Sequence, residues 1–226
     1  MKIVNDLLSN TGKKKTVEAF RLILQLTGMA IFVYFGSQST IYFILLSVPL
    51  ALLFGPVYCG WICPRGLFQD IFAKLGRKIL GKRYNTAVPR KFHPWLIYSR
   101  YVLMVFVLVT LILSEFGFLA ESSEILVLEG LVTIMIVSIL LSFFVDRAAC
   151  KYFCKEGAAA GLLNLVSRGK VRRDASLCNV CGICDSTCPM WIEVSKKDIV
   201  TEHSCVCCFK CIQVCPVNAL YIDECL

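Results

Sequence analysis

Twelve of the chain's fourteen cysteines fall into two spacing patterns. The first is Cys178-x2-Cys181-x2-Cys184-x3-Cys188-Pro189, repeated as Cys205-x2-Cys208-x2-Cys211-x3-Cys215-Pro216. Four thiolates complete the corners of a cubane iron–sulfur cluster. The x2 spacing turns three successive cysteines of a tight loop toward one cluster, while the x3 step and the proline send the fourth in another direction. A structural zinc site calls for two separated pairs and needs neither a third cysteine nor Cys-Pro. A disulfide framework does not suit a segment that faces a reducing compartment.

The second pattern is Cys59-Gly-Trp-Ile-Cys63-Pro64, answered by Cys150-Lys-Tyr-Phe-Cys154. Both cysteines recur at an offset of 91 residues (150 − 59 and 154 − 63), which also superposes Trp61 on Tyr152, Ile62 on Phe153, Gly66 on Gly157 and Arg77 on Arg168. An i, i+4 pair on a helix faces one direction, so each half offers two thiols to a further redox or metal centre. Arg65, Arg147, Lys151 and Lys155 favour thiolates there. The plainer alternative is four small residues buried in helix caps. Cys207 and Cys225 lie outside both patterns and read as fillers or free thiols, and His203 as a surface residue near Cys205.

The elements that position these cysteines are apolar. The chain is 57% hydrophobic and 18% charged, with a mean hydropathy of +0.69. Four runs, at about 22–36, 41–58, 95–114 and 125–145, are expected to cross a bilayer as helices. Residues 1–173 hold 21 Lys and Arg against 9 Asp and Glu, a balance of +12, and residues 174–226 hold 3 against 7, a balance of −4. The basic residues cluster in the N-terminal tail and in the 65–94 connector, which places both, and everything after Arg147, in the cytoplasm. The repeat is then parallel, about an axis along the membrane normal. That distribution argues for membrane lipid as a partner and against nucleic acid. No cleavage site follows the first run, so it is expected to stay as an anchor. Leu67, Phe68, Ile71, Phe72, Leu75 and Ile79 predict a basic amphipathic helix on the cytoplasmic leaflet. Glu129 falls near the outer end of its span, and Arg100 is expected to snorkel to the inner interface. No Cys-x-x-Cys-His, Walker A or G-x-G-x-x-G sequence occurs, and both histidines, His93 and His203, lie outside the spans.

The expected organisation is a basic tail (1–20), a four-helix membrane domain (21–173) and a small α+β domain (174–226). The last resembles the two-cluster bacterial ferredoxins, in which the fourth cysteine of each run serves the other cluster. That resemblance implies one 4Fe-4S cluster on Cys178, Cys181, Cys184 and Cys215, and a second on Cys205, Cys208, Cys211 and Cys188. Over about residues 20–226, paired C-x3-C elements followed by such a tail resemble the membrane-bound polyferredoxin family of the NapH, NosR and FixG kind. The resemblance implies single-electron transfer between a cytoplasmic donor, a ferredoxin or the quinone pool and other redox subunits in or beyond the cell membrane. The rival reading is a metal reductase or assembly factor whose substrate metal sits on Cys59, Cys63, Cys150 and Cys154. The second element lacks the proline, since Lys155 follows Cys154.

Overall fold

The structure is a computed structural model that describes residues 14–35, 56–86, 88–117, 121–167 and 169–222. Most of the second expected span (41–55) and Cys225 lie outside these residues. The chain divides into two compact units, Met1–Leu67 with Ala160–Leu226, and Phe68–Ala159.

The first unit begins with α1 (Lys14–Phe35), which buries Arg21 and Gln25 and exposes Phe20, Leu22, Ile23 and Leu26. A short helix α2 (Val57–Trp61) carries Cys59. It packs under α1, where Gly28 is needed because a Cβ would lie 2.5 Å from the Ile62 carbonyl oxygen. Helix α3 (Pro64–Leu80) starts here and continues into the second unit. Its proline at the first helical position spends an N–H that would have no intrahelical partner anyway.

In the second unit, α3 turns its apolar face outward. Gln69, Ala73 and Gly76 are buried, and Phe68, Ile71, Leu75 and Ile79 form an exposed apolar stripe. The small side holds Phe143 so closely that a Cβ on Gly76 would meet its carbonyl oxygen at 1.9 Å. After α4 (His93–Leu96) come α5 (Ser99–Glu115) and α6 (Glu121–Leu140). Val102, Val105, Phe106 and Ile112 of α5, and Val132, Ile136, Val137 and Leu140 of α6, face outward, whereas Ser138 and Ser142 are buried. Helices inverted in this way suit hydrocarbon as solvent. Among the described residues, one segment, His93–Ser114, is long and apolar enough to cross a bilayer. The described residues are mostly helical, and the expected run at 41–58 lies mostly outside them. Arg100 is 1% exposed, donates to the Tyr101 hydroxyl at 3.0 Å and lies over that ring.

The unit is closed by polar contacts. Arg147, wholly buried and at φ +47°, makes a two-pronged ion pair with Asp70 of α3, Nε to Oδ1 at 3.1 Å and Nη2 to Oδ2 at 2.9 Å. Tyr84 and Asn85 donate to the two carboxylate oxygens of Asp146, at 3.0 and 2.8 Å. Burial, reinforced by Asp146, pushes the Tyr84 phenol above its ordinary value.

Helix α7 (Lys155–Val166) leads back to the first unit and its cysteine-rich tail. There β1 (Val171–Arg173) pairs antiparallel with β2 (Leu220–Ile222), Val171 opposite Ile222, so the first strand of the pair lies ahead of residue 174. Between them lie two short helices, α8 (Ile183–Thr187) and α9 (Lys210–Gln213). Val171, Met190, Ile192, Val194, Val200, Ile212, Leu220 and Ile222 form the buried core beneath.

Candidate iron–sulfur sites

Every cysteine of the first four-cysteine run has its counterpart 27 residues later (205 − 178 through 215 − 188), and the backbone repeats with it. Left-handed residues pair at that offset: Val180 (φ 52°) with Cys207 (45°), Gly182 (72°) with Phe209 (55°), and Trp191 (60°) with Asn218 (51°). Helices α8 and α9 begin at the same offset, directly after Gly182 and Phe209. A non-glycine residue held there costs on the order of 1–3 kcal/mol and persists where the surroundings demand it. Turning the backbone through that region aims successive N–H groups into one concavity, which suits an anion. Sequence reasoning read Cys207 as a filler or free thiol; the structure places it at a left-handed turn whose counterpart is Val180.

The two loops enclose two cavities. One is lined by Cys205, Cys208 and Cys211 together with Cys188 and Met190, and Cys207 also faces it. The other is lined by Cys178, Cys181 and Cys184 together with Cys215, Arg173 and Ser195. Each cavity thus takes three cysteines from one run and the last from the other. Cys208 is buried and Cys181 is exposed, so the two cavities differ in their access to solvent. Among the described residues, no three His, Cys, Asp or Glu side chains converge tightly enough to grip a single ion; the four thiols stand around a space instead. The Ala219 N–H donates to Cys215 Sγ at 3.3 Å. Asp198 first, and then Cys178, hold the proton of the Arg173 guanidinium more firmly than usual, which puts a cation beside the second cavity.

Burial first, then neighbouring thiols, raises the Cys188 thiol to about 12 and the Cys211 thiol well above its ordinary value; burial first and Asp185 second raise Cys184 to about 11. The Cys207 thiol hydrogen-bonds Cys205, lowering Cys205 and raising Cys207. Iron bound at these thiols would have to displace their protons, so its loading would release acid and weaken as pH falls. The iron-free tail has the opposite dependence. Folded-state values raised above the ordinary 9 give stability that is complete below pH 9 and lost as pH rises toward 12. Unfolding curves of iron-free and reconstituted protein should therefore shift in opposite directions with pH; parallel shifts would contradict this account.

The C-x3-C elements also repeat locally. In each, a helical turn carries the first cysteine, the helix breaks at the second, and a new helix starts on the next residue, Pro64 or Lys155, 91 apart. The turn is α-helical at Val57–Trp61 and π-helical at Ala149–Phe153. The missing proline does not prevent the second start. All four cysteines are buried; Cys59 and Cys63 belong to the first unit, Cys150 and Cys154 to the second. Gln69, which sequence reasoning missed, clamps Cys150: its Nε2 donates to the sulfur and its Oε1 accepts the Cys150 N–H, both at 3.2 Å. The Gly157 N–H donates to Cys154 Sγ at 3.3 Å. The Cys154 thiol in turn donates to Glu156 Oε2 at 3.4 Å. Arg147, expected to support them, is engaged by the Asp70 carboxylate, whereas Lys151 is fully buried beside Cys150. Tyr152, the counterpart of Trp61, meets His93 Nδ1 at 3.1 Å.

This arrangement defines an iron–sulfur electron-transfer protein. A 4Fe-4S binding domain family matches the chain twice, at residues 38–83 and 129–174, again 91 apart and over the two C-x3-C elements. Protein MJ0750 of Methanocaldococcus jannaschii is 34% identical over 179 residues, 76% of this chain and 74% of that protein. YccM of Escherichia coli is 30% identical over 75% of this chain and 51% of its own length, and the ferredoxin-type protein NapH of the same organism 26% over 79% and 66%. The chain belongs to the membrane-bound polyferredoxin family. It spans about half the length of YccM. No solved structure matches it.

Proposed function

We propose that the chain is a multi-pass membrane subunit that relays single electrons between a cytoplasmic donor or the quinone pool and a redox partner in or beyond the membrane. The observation that carries this reading is the exchange of the last cysteine between the two cavities, because it suits two adjacent clusters better than any mononuclear site. Cys178, Cys181, Cys184 and Cys215 would hold one 4Fe-4S cluster, and Cys205, Cys208, Cys211 and Cys188 the other. Such a cluster, when bound, gains and loses one electron at a time. The left-handed loops present N–H groups to it, and the apolar lining around Met190 and Phe209 excludes water.

The pairs Cys59 with Cys63 and Cys150 with Cys154 would supply further thiolate ligands for iron–sulfur chemistry. The doubled family match and the N–H bonds to Cys150 and Cys154 support that role. The outward apolar faces of α5 and α6 and the apolar stripe of α3 support a bilayer around the second unit, with the basic connector and both termini in the cytoplasm. The ferredoxin-type name of NapH supports other redox subunits as partners.

Anaerobic iron analysis and redox titration of the purified chain test this. Two tail clusters predict about eight iron atoms from residues 171–222 and reversible bleaching near 400 nm, and removing Cys59, Cys63, Cys150 and Cys154 should lower the iron content further. A total near two iron atoms, or iron that never changes oxidation state, would refute the relay.

A further inference from the structure

The first C-x3-C element is seated on the loop of the second cysteine run, 146 residues away in sequence but within the same unit. The Trp61 Nε1–H donates to the carbonyl of Cys207 at 3.1 Å, and its ring lies 6.1 Å from Phe209 and 6.3 Å from Phe20, centroid to centroid. Those separations are in the range where aromatic pairs attract. Gly60 is what lets the element come so close, since a Cβ there would lie 2.4 Å from the Val206 carbonyl oxygen. Cys59 shares one buried core with Cys207, Cys208 and Phe209. The residues contacted are thus the two left-handed positions that shape the Cys205–Cys211 loop, Cys207 and Phe209.

We propose that Gly60 and Trp61 form the electron-transfer contact between the Cys59/Cys63 thiolate pair and the iron–sulfur site of Cys205, Cys208, Cys211 and Cys188. Trp61 lies two residues from each cysteine of its own element, and the carbonyl it binds lies one residue from Cys208 and two from Cys205. One hydrogen bond therefore links the two ligand sets through backbone. The exposed Cys181 places the other tail site toward solvent, so the order runs from surface site to buried site to C-x3-C element. In each passage one iron–sulfur centre is oxidised by one electron and the other reduced by one; no proton moves and no bond is made or broken. Trp61 acts as a positioning residue for both sites. Tyr152, the counterpart of Trp61 in the second repeat, meets His93 Nδ1 with its hydroxyl at 3.1 Å.

The proposal rests on the reading of both cysteine sets as iron–sulfur ligands, and the test separates the two. In the full chain, reconstituted anaerobically in detergent with iron and sulfide, Cys59→Ser with Cys63→Ser should lower the iron content; unchanged iron would sink the ligand reading itself. With Trp95→Phe and Trp191→Phe leaving Trp61 as the only tryptophan, emission should be quenched on loading and recover when a chelator strips the iron. Trp61→Phe keeps the ring and removes the donor. It should retain wild-type iron and potentials but lose the fast phase of electron redistribution, followed by low-temperature electron paramagnetic resonance after photoreduction. Wild-type redistribution in Trp61→Phe, an emission indifferent to loading, or loss of iron in that variant would each overturn the contact, the last by showing a purely structural residue.

Discussion

Cys188→Ser should strip iron from the site of Cys205, Cys208 and Cys211, and leave the site of its own run intact. In sequence Cys188 closes the run of Cys178, Cys181 and Cys184, yet it lines the cavity of the other three. A serine hydroxyl is a poor ligand for iron at neutral pH, so about four of the eight iron atoms proposed for the tail are at stake. Pairing variants identifies which four. Cys188→Ser with Cys205→Ser should lose no more than either alone, whereas Cys188→Ser with Cys178→Ser should empty both sites, since effects within one site do not add and effects in separate sites do. Cys215→Ser is the mirror case, falling with Cys178 rather than Cys205. Iron counts that grouped Cys188 with Cys178 would show that the loops do not exchange their last ligands.

The second large effect lies in the other unit. Asp70→Asn leaves the wholly buried Arg147 guanidinium facing a neutral amide at 2.9 Å where it had a carboxylate. Removing one partner of a buried pair costs about 3–5 kcal/mol, because the remaining charge cannot regain water. The cost falls on α3 and on the turn ahead of Cys150, so thermal unfolding in detergent should come many degrees earlier. Asp70→Asn combined with Arg147→Met should recover much of the loss, as apolar replacements of a buried pair often do. A single variant that unfolds within about 0.5 kcal/mol of the wild type, the range of an ordinary surface substitution, would show that Arg147 is stabilised elsewhere.

The parts of this chain written in covalent spacing were legible in the sequence. The four-cysteine runs, the 91-residue repeat and the composition of a membrane protein all follow from residue type and count. What depended on long-range closure was not. Nothing in the residue types of Val180 or Phe209 announces a left-handed backbone, since a β-branched or aromatic side chain adopts it only when the surroundings impose it. Gln69 reads as one polar residue on an amphipathic helix, and its clamp on Cys150 is made 81 residues away. Arg147 looked like a counter-ion for thiolates because its neighbours in sequence are cysteines; its partner in space is Asp70. The periodicity of α3 was visible, but only packing shows that Gly76 and Ala73, the smallest residues, form the buried side.

The first unit joins two stretches far apart in sequence, Met1–Leu67 and Ala160–Leu226. A ribosome adds roughly 5–20 residues per second. The Cys59 element therefore waits on the order of ten seconds for the loop that Trp61 holds, with Gly60 and its apolar neighbours uncovered. Closure of this unit is then necessarily a late event in biogenesis, after the intervening helices have been synthesised. A truncation that stops before Cys205 should leave that half exposed permanently, and cells would be expected to degrade it faster than the complete chain.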